Sequence, residues 1–163
     1  PAMNTGSRLI LLATDEGREP MRGAPPQHIP QPADLPAGVT ATAALGPAFL
    51  MVQVDDSIKR IEPLRQALAN HPISREYLFH VIVSKDVPLN DRIMMLWGWF
   101  TRFDPLADLY PAGRKVEGNR LVFDFPIAVD ARWKTGYPRP VEFDLEVEKR
   151  VDRMWPRLGL PDD

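Results

Sequence analysis

The chain has 163 residues, 44% hydrophobic and 26% charged, and its 20 Lys and Arg against 22 Asp and Glu leave a formal net charge of -2. That size suits one domain with an ordinary core, and the charge balance argues against a nucleic-acid partner, which needs an excess of cations along a phosphate backbone. With zero cysteines there are no disulfides, thiolate metal sites or cysteine nucleophile, and with no secretory or bilayer-length apolar run the expected location is cytoplasmic, without a membrane partner.

Residues 1–7 read as an N-terminal tail, with Pro1-Ala2 ahead of Met3 as a remnant of expression, and one domain is expected over 8–163. Arg8 to Thr14 is a short apolar run of strand length. The segment 15–36 carries Pro20, Pro25, Pro26, Pro30, Pro32 and Pro36, so it should run extended, as a solvated loop or as an arm laid on a partner. After Gly46-Pro47, Ala48 to Val54 reads as a buried strand, and a helix follows around Arg60 to His71 with Pro63 in its first turn and Pro72 beyond its end. Tyr77 to Val83 is a β-branched and aromatic strand, and the next helix is expected from Asn90 to Phe103, with Asp91 in its first turn and Pro105 stopping it.

Leu121 to Pro126 suggests a further strand, placed at an edge because proline lacks a donor, and the chain from Asp130 to Pro140 reads as irregular. A final amphipathic helix over 144–158 is capped by Asp144 and gathers Val147, Val151, Met154, Trp155 and Leu158 on one face. The alternation of strands and helices predicts an α/β fold: a single layered domain with a mostly parallel sheet covered by helices, a Pro-rich N-terminal arm and a C-terminal amphipathic helix.

Chemistry is sparse. His28, His71 and His80 have no spacing that offers two of them to one metal; His71 suits the negative end of a helix dipole and His80 a strand position facing a neighbour. Ser7, Ser57, Ser74 and Ser84 lack a nucleophile-elbow context, and no phosphate-binding glycine motif is present. Asp55 and Asp56 read as a solvated turn capping the next helix, with a crevice role as the alternative; Asp124 and Asp130 stay undecided. What stands out is aromatic surplus: Trp97 and Trp99 lie about 160° apart on a helix, so one core does not bury both, and together with Arg102, Asp104, Trp133 and Trp155 they are the candidate interface residues.

The stretch "VIVSKDVPLNDRIMMLWGWFTRFDPLAD", Val81 to Asp108, resembles the C-terminal domain of UbiD-type (de)carboxylases: a buried strand, an aspartate opening the next helix, a tryptophan in it, and the ending T-R-x-D-P-x-x-D. Asp130 to Leu160, with its D-A-x, proline-containing approach and D-x-x-W-x-x-L helix, is similar to that family's last segment. Ser84 and Lys85 depart from the acidic pair usual there, and Arg132 stands where the family favours threonine. The resemblance implies a domain for oligomer contacts and for closing an active site that lies elsewhere. In the family a separate N-terminal domain holds prenylated FMN with a divalent metal and potassium beside an Arg-Glu-Glu set, and nothing here matches a cofactor, metal or catalytic position. The implied function is that of a small non-catalytic subunit in a hetero-oligomeric aromatic or unsaturated acid decarboxylase or carboxylase, alongside a UbiD-like large catalytic subunit, as phenylphosphate carboxylase and hydroxyarylic acid decarboxylases divide their chains. The rival readings are a stand-alone protein-binding scaffold module and an enzyme using Asp55, Asp56 or Asp130. Arg102 is expected to satisfy orphan carbonyls at the helix end while Asp104 holds Arg102 or a neighbouring backbone amide, the pair forming a structural clasp near an interface.

Overall fold

The computed structural model of the chain describes residues 26–136 and 144–157. The tail 1–7, the expected strand Arg8 to Thr14, the first part of the Pro-rich segment, Tyr137 and Leu158 lie outside the described residues.

Five strands form one sheet in the order β1-β2-β3-β5-β4: β1 Val39–Leu45, β2 Phe49–Val54, β3 Phe79–Ser84, β4 Leu109–Glu117 and β5 Arg120–Ala131. β2, β3 and β5 run parallel, whereas β1 joins β2 and β4 joins β5 antiparallel. The sheet is therefore mixed, which corrects the mostly parallel sheet expected from the sequence. Only strands buried on both faces read as continuous apolar runs. β1 alternates Thr and Ala, and β4 carries Pro111, Gly113 and three charges, so neither outer strand announced itself.

β5 corrects one further expectation and refines another: it runs on through Asp130 to Ala131, where irregular chain was expected, and it lies inside the sheet only from Ile127 onward, its first half pairing with β4 alone. Pro126 is tolerated there because it falls between two ladders. Pairing with β3 begins only at Ile127, and pairing with β4 is interrupted between Pro111 and Gly113, so no ladder needs the missing donor.

Helix α1, Ile61–Asn70, joins β2 to β3, with Pro63 in the first turn where backbone donors have no intrahelical partner. It ends as His71 turns extended ahead of Pro72. Ile61, Leu64 and Leu68 pack on Leu50, Val52, Val54 and Ile82; each such side chain gains about 1.5–3 kcal/mol over exposure. Helix α2, Arg92–Phe100, follows β3, and its Met95 and Trp99 pack on Met51, Val81, Val83 and Val129. Because successive strand residues point to opposite faces, α1 and α2 cover opposite sides of the sheet.

Asp91 is the N-cap of α2, accepting from the amides of Ile93 at 2.9 Å and Met94 at 3.0 Å, and so precedes the first turn in which it was expected. The helix also stops at Phe100, short of the expected Phe103. Thr101 turns its hydroxyl onto the Trp97 carbonyl at 2.7 Å, and buried Arg102 leaves the helix to pair with half-exposed Asp86, so Pro105 is not what ends it.

The described end of the Pro-rich segment, though largely exposed, is tied to the domain at several points. Thr42 Oγ1 donates to the Pro30 carbonyl at 2.6 Å, Tyr77 Oη donates to the His28 carbonyl at 3.1 Å, a 3-10 turn forms at Pro32–Asp34, and Leu35 enters the core. Asp144 caps the last helix, α3 Leu145–Met154, by accepting from the Glu146 amide at 2.9 Å. A 3-10 turn at Trp155–Arg157 follows, so the helix is shorter than 144–158, and every residue of α3 is exposed.

Two histidines meet one turn. His80 is buried in β3 with Nε2 at 2.7 Å from the Ser74 carbonyl, which assigns the proton to Nε2, and burial pushes its pKa down. His71 does not serve the helix dipole as expected: its Nδ1 accepts from the amides of Ile73 and Ser74 at 3.3 and 3.2 Å.

Candidate functional site

The carboxyl ends of β2, β3 and β5 open on one cleft of about 720 Å3. Open α/β sheets place ligands at this position because successive loops converge there. After β2, Asp55 Oδ1 accepts from the Ser57 amide at 2.8 Å and from its hydroxyl, contacts that hold the Asp55 carboxyl below its usual range. This is the expected solvated turn, but it caps no helix: the residue before α1 is Arg60, without a side-chain cap. Asp56 pairs with Lys85 at 3.0 Å in the open, and that hydrogen bond raises the lysine pKa.

After β3, Ser84 Oγ accepts from the Trp133 amide at 2.6 Å, and Asp86 binds Arg102 through both oxygens at 2.9 and 2.6 Å. The guanidinium holds the Asp86 carboxyl below the ordinary carboxylate range. Arg102 also lies 4.7 Å from the Trp133 ring and 5.9 Å from the Trp97 ring, as the filling of an aromatic sandwich. After β5, Arg132 grips Asp130 through Nε at 2.8 Å and Nη2 at 2.9 Å, and its Nη1 donates to the Ile58 carbonyl. Asp130 raises the Arg132 pKa further. Lys134 Nζ reaches Asp108 Oδ2 at 3.0 Å and the carbonyls of Arg102 at 3.0 Å and Asp130 at 2.6 Å, tying the end of α2 to the end of β5.

These contacts decide what the cleft does. Lys85, Arg132 and Lys134 already hold carboxylates, which leaves Lys59 as the lining cation without an ion pair among the described residues, a poor match for a flavin phosphate that several donors must hold together. Among the described residues no group of three His, Cys, Asp or Glu could hold a metal ion. The arrangement is a polar seam that fixes the loops. Removing one partner of its buried pairs is costly, because the other charge is left unpaired.

The candidate interface residues separate. Trp97 is 46% exposed and Trp99 3%, as their angular spacing required. Trp99 contacts Phe49 and Phe100 inside the chain, and Arg102 is 2% exposed, so neither of these two presents a surface of its own. Trp97 and Trp133, flanking Arg102, reach solvent; Trp155 lies apart on α3. Of the two roles expected for Asp104 the structure shows the backbone one, since it accepts from the Leu106 amide at 2.9 Å and donates its own amide to Asp108, whereas the carboxylate that grips Arg102 is Asp86. Asp86 and Lys134 went unnoticed in the sequence, and Asp108 entered only as the last residue of the T-R-x-D-P-x-x-D ending. Their signal was an acid just past a strand that the following helix end must return to.

No family model matches the sequence. An uncharacterized protein of Chlamydia muridarum is 31% identical over 156 residues, 95% of this chain and 25% of that protein. A 4-hydroxybenzoate decarboxylase subunit from Chlamydia pneumoniae is 35% identical over 60 residues, 37% of this chain and 10% of that protein. The chain thus spans a quarter or less of the length of these curated relatives. Among solved structures, vanillic acid decarboxylase of Sedimentibacter hydroxybenzoicus in its open form overlaps 74% of this chain and 30% of its own, at 13% identity and a TM-score of 0.46, a partial overlap only. The resemblance to UbiD-type decarboxylases therefore stands on sequence similarity.

Proposed function

From the premise that this chain is similar to UbiD-type decarboxylases, we propose that it is a non-catalytic unit which docks on a UbiD-like catalytic unit and helps to close its active site. The catalytic unit holds prenylated FMN with a divalent metal and potassium, acts on an aromatic or unsaturated acid, and works in the cytoplasm. The observation that carries this reading is the 35% identity to a 4-hydroxybenzoate decarboxylase subunit. The site supports it from the other side: most of the cleft's charges are committed to one another, while apolar side chains stand exposed on α2, as docking surfaces require. Flavin chemistry would belong to the partner, and this chain's own share is to bind, orient and exclude water.

The relatives' lengths favour a second reading. A protein that carries such a segment in 25% of its length would make the same contacts within one polypeptide. A tagged pull-down from the native host, with mass spectrometry and a visible spectrum of the eluate, tests both. A separate UbiD-like polypeptide with flavin absorbance is the expected result; a single longer flavin-bearing polypeptide selects the second reading. Recovery of a colourless chain alone overturns both and leaves the scaffold module.

A further inference from the structure

The sheet does not end where its core ends. β3 pairs with β5 only over Ile127 to Ala131, so the first half of β5 pairs with β4 alone and the two project as a ribbon, Gly113 to Asp124. Cross-strand partners share a face. One face therefore carries Lys115, Glu117, Arg120, Val122 and Asp124, and the other carries Val116, Leu121, Arg114 and Phe123, followed by Phe125. A two-stranded ribbon is marginal in water, and alternation of this kind marks a face meant to be covered. Yet Val116 is 71% and Phe125 51% exposed.

The apolar stripe is not isolated. Phe125 meets Phe79 edge-on at 5.6 Å, Phe79 stacks on Phe49 at 4.8 Å, Phe49 meets Trp99 at 5.2 Å, and Trp99 stacks on Phe100 at 4.6 Å. Through this aromatic chain the ribbon stripe continues into the exposed side of α2, where Ile93, Trp97 and Phe100 follow at helical spacing. The ribbon stripe and the exposed side of α2 therefore lie on the same side of the sheet, linked by ring contacts that pass through buried Trp99.

Resting on the docking role above, we propose that this α2-side surface, ribbon included, is the face covered by the UbiD-type catalytic unit. Two observations select that occupant. The Chlamydia muridarum relative aligns with 95% of this chain and has three further quarters of its length with which to cover such a face. Arg114, in the middle of the ribbon stripe, makes no ion pair among the described residues, and the stripe holds no acid. A second copy laid on the stripe brings arginine to arginine, whereas a partner with an apolar surface and one carboxylate opposite Arg114 satisfies it.

The chain lacks cysteine, so a single introduced thiol reports one position. Leu121→Cys on the apolar face and Lys115→Cys on the polar face are labelled with polyethylene-glycol maleimide, in the chain alone and in the assembly captured through its tag from the native host. Leu121→Cys is expected to react freely in the chain alone and at least tenfold more slowly in the flavin-bearing assembly, with Lys115→Cys equally reactive in both. Equal labelling of Leu121→Cys in the two states of a flavin-bearing assembly overturns the face while the docking role stands. Protection of Leu121→Cys in the chain alone, with a dimer by light scattering, overturns it in favour of a second copy. Capture of no flavin-bearing polypeptide removes the docking role and the proposal with it.

Discussion

The two sides of the sheet handle the same burial problem to different degrees. On the α1 side Leu50, Val52, Val54, Ile82 and Ala128 meet Ile61, Leu64, Leu68 and Tyr77, and none of this cluster is more than 9% exposed. On the α2 side the cluster around Met51, Val81, Val83, Met95 and Val129 is as dry, but it gives way through Phe49 and Phe79 to solvent-facing Phe100 and Phe125. Both helices are short, at ten and nine residues, so helix length does not explain the contrast. The difference is that α2 leaves the strand starts and the ribbon bare. A side finished by its own helix serves stability, and a side left unfinished is available for association.

The sharpest test of that contrast pairs one residue from each side. Leu68→Ala, in the closed side, should cost about 3 kcal/mol in urea denaturation, and Ile93→Ala, in the open one, less than about 0.5 kcal/mol. Equal losses would erase the distinction. Next in size is Asp86→Ala, which leaves the buried Arg102 guanidinium without its carboxylate and should cost about 2 kcal/mol. Its folded pKa lies below the ordinary 3.8, so this contribution is full above that value and is lost as pH falls through the lowered one. The acid limb of the stability curve should flatten in the variant; an unchanged limb would mean the pair adds nothing.

On the closed side, His80 gives a second pH signature of the same sign. Its folded pKa is pushed below the ordinary 6.5, so stability is full above 6.5 and declines as pH drops toward the folded value, by at most ~1.4 kcal/mol per pH unit. His80→Gln keeps a donor for the Ser74 carbonyl and should remove that slope; a slope that survives would point to another group. The smallest effect is expected at Gly98, where α2 seats on β3's loop: an added Cβ would lie 2.6 Å from Val87 Cγ2. Gly98→Ala should therefore destabilise by about 1 kcal/mol despite the better helix propensity of alanine, and a gain in melting temperature would show that α2 is free to shift.

Much of the central fold was legible because burial on both faces leaves a plain mark. β2 and β3 read as apolar runs, Pro63 and Pro72 bracketed α1, and the caps Asp91 and Asp144 fell where short acceptors belong. The outer strands were lost for a physical reason: a strand that meets solvent on one side can be built from Thr and Ala, like β1, or from charges, like β4. Pro126 misled because its cost depends on whether a ladder needs its donor, which only the register reveals. At the cleft, Arg102 was recognised and its partner was not. Asp104 is two residues away and Asp86 sixteen, and local spacing favours the near acid, whereas the fold returns the end of α2 to the end of β3.

β5 runs unbroken through 12 residues, about 40 Å at ~3.3 Å per residue. One end lies in the ribbon beside Phe123, and the other delivers Asp130, Arg132 and Lys134 to the cleft. Between those ends, at Pro126, neither neighbouring strand pairs with β5, so the ribbon joins the sheet through an unbraced point just ahead of the segment that leads to Trp133 and its contact with Arg102. The ribbon can therefore settle against a neighbour without disturbing the strand pairing that seats the cleft residues.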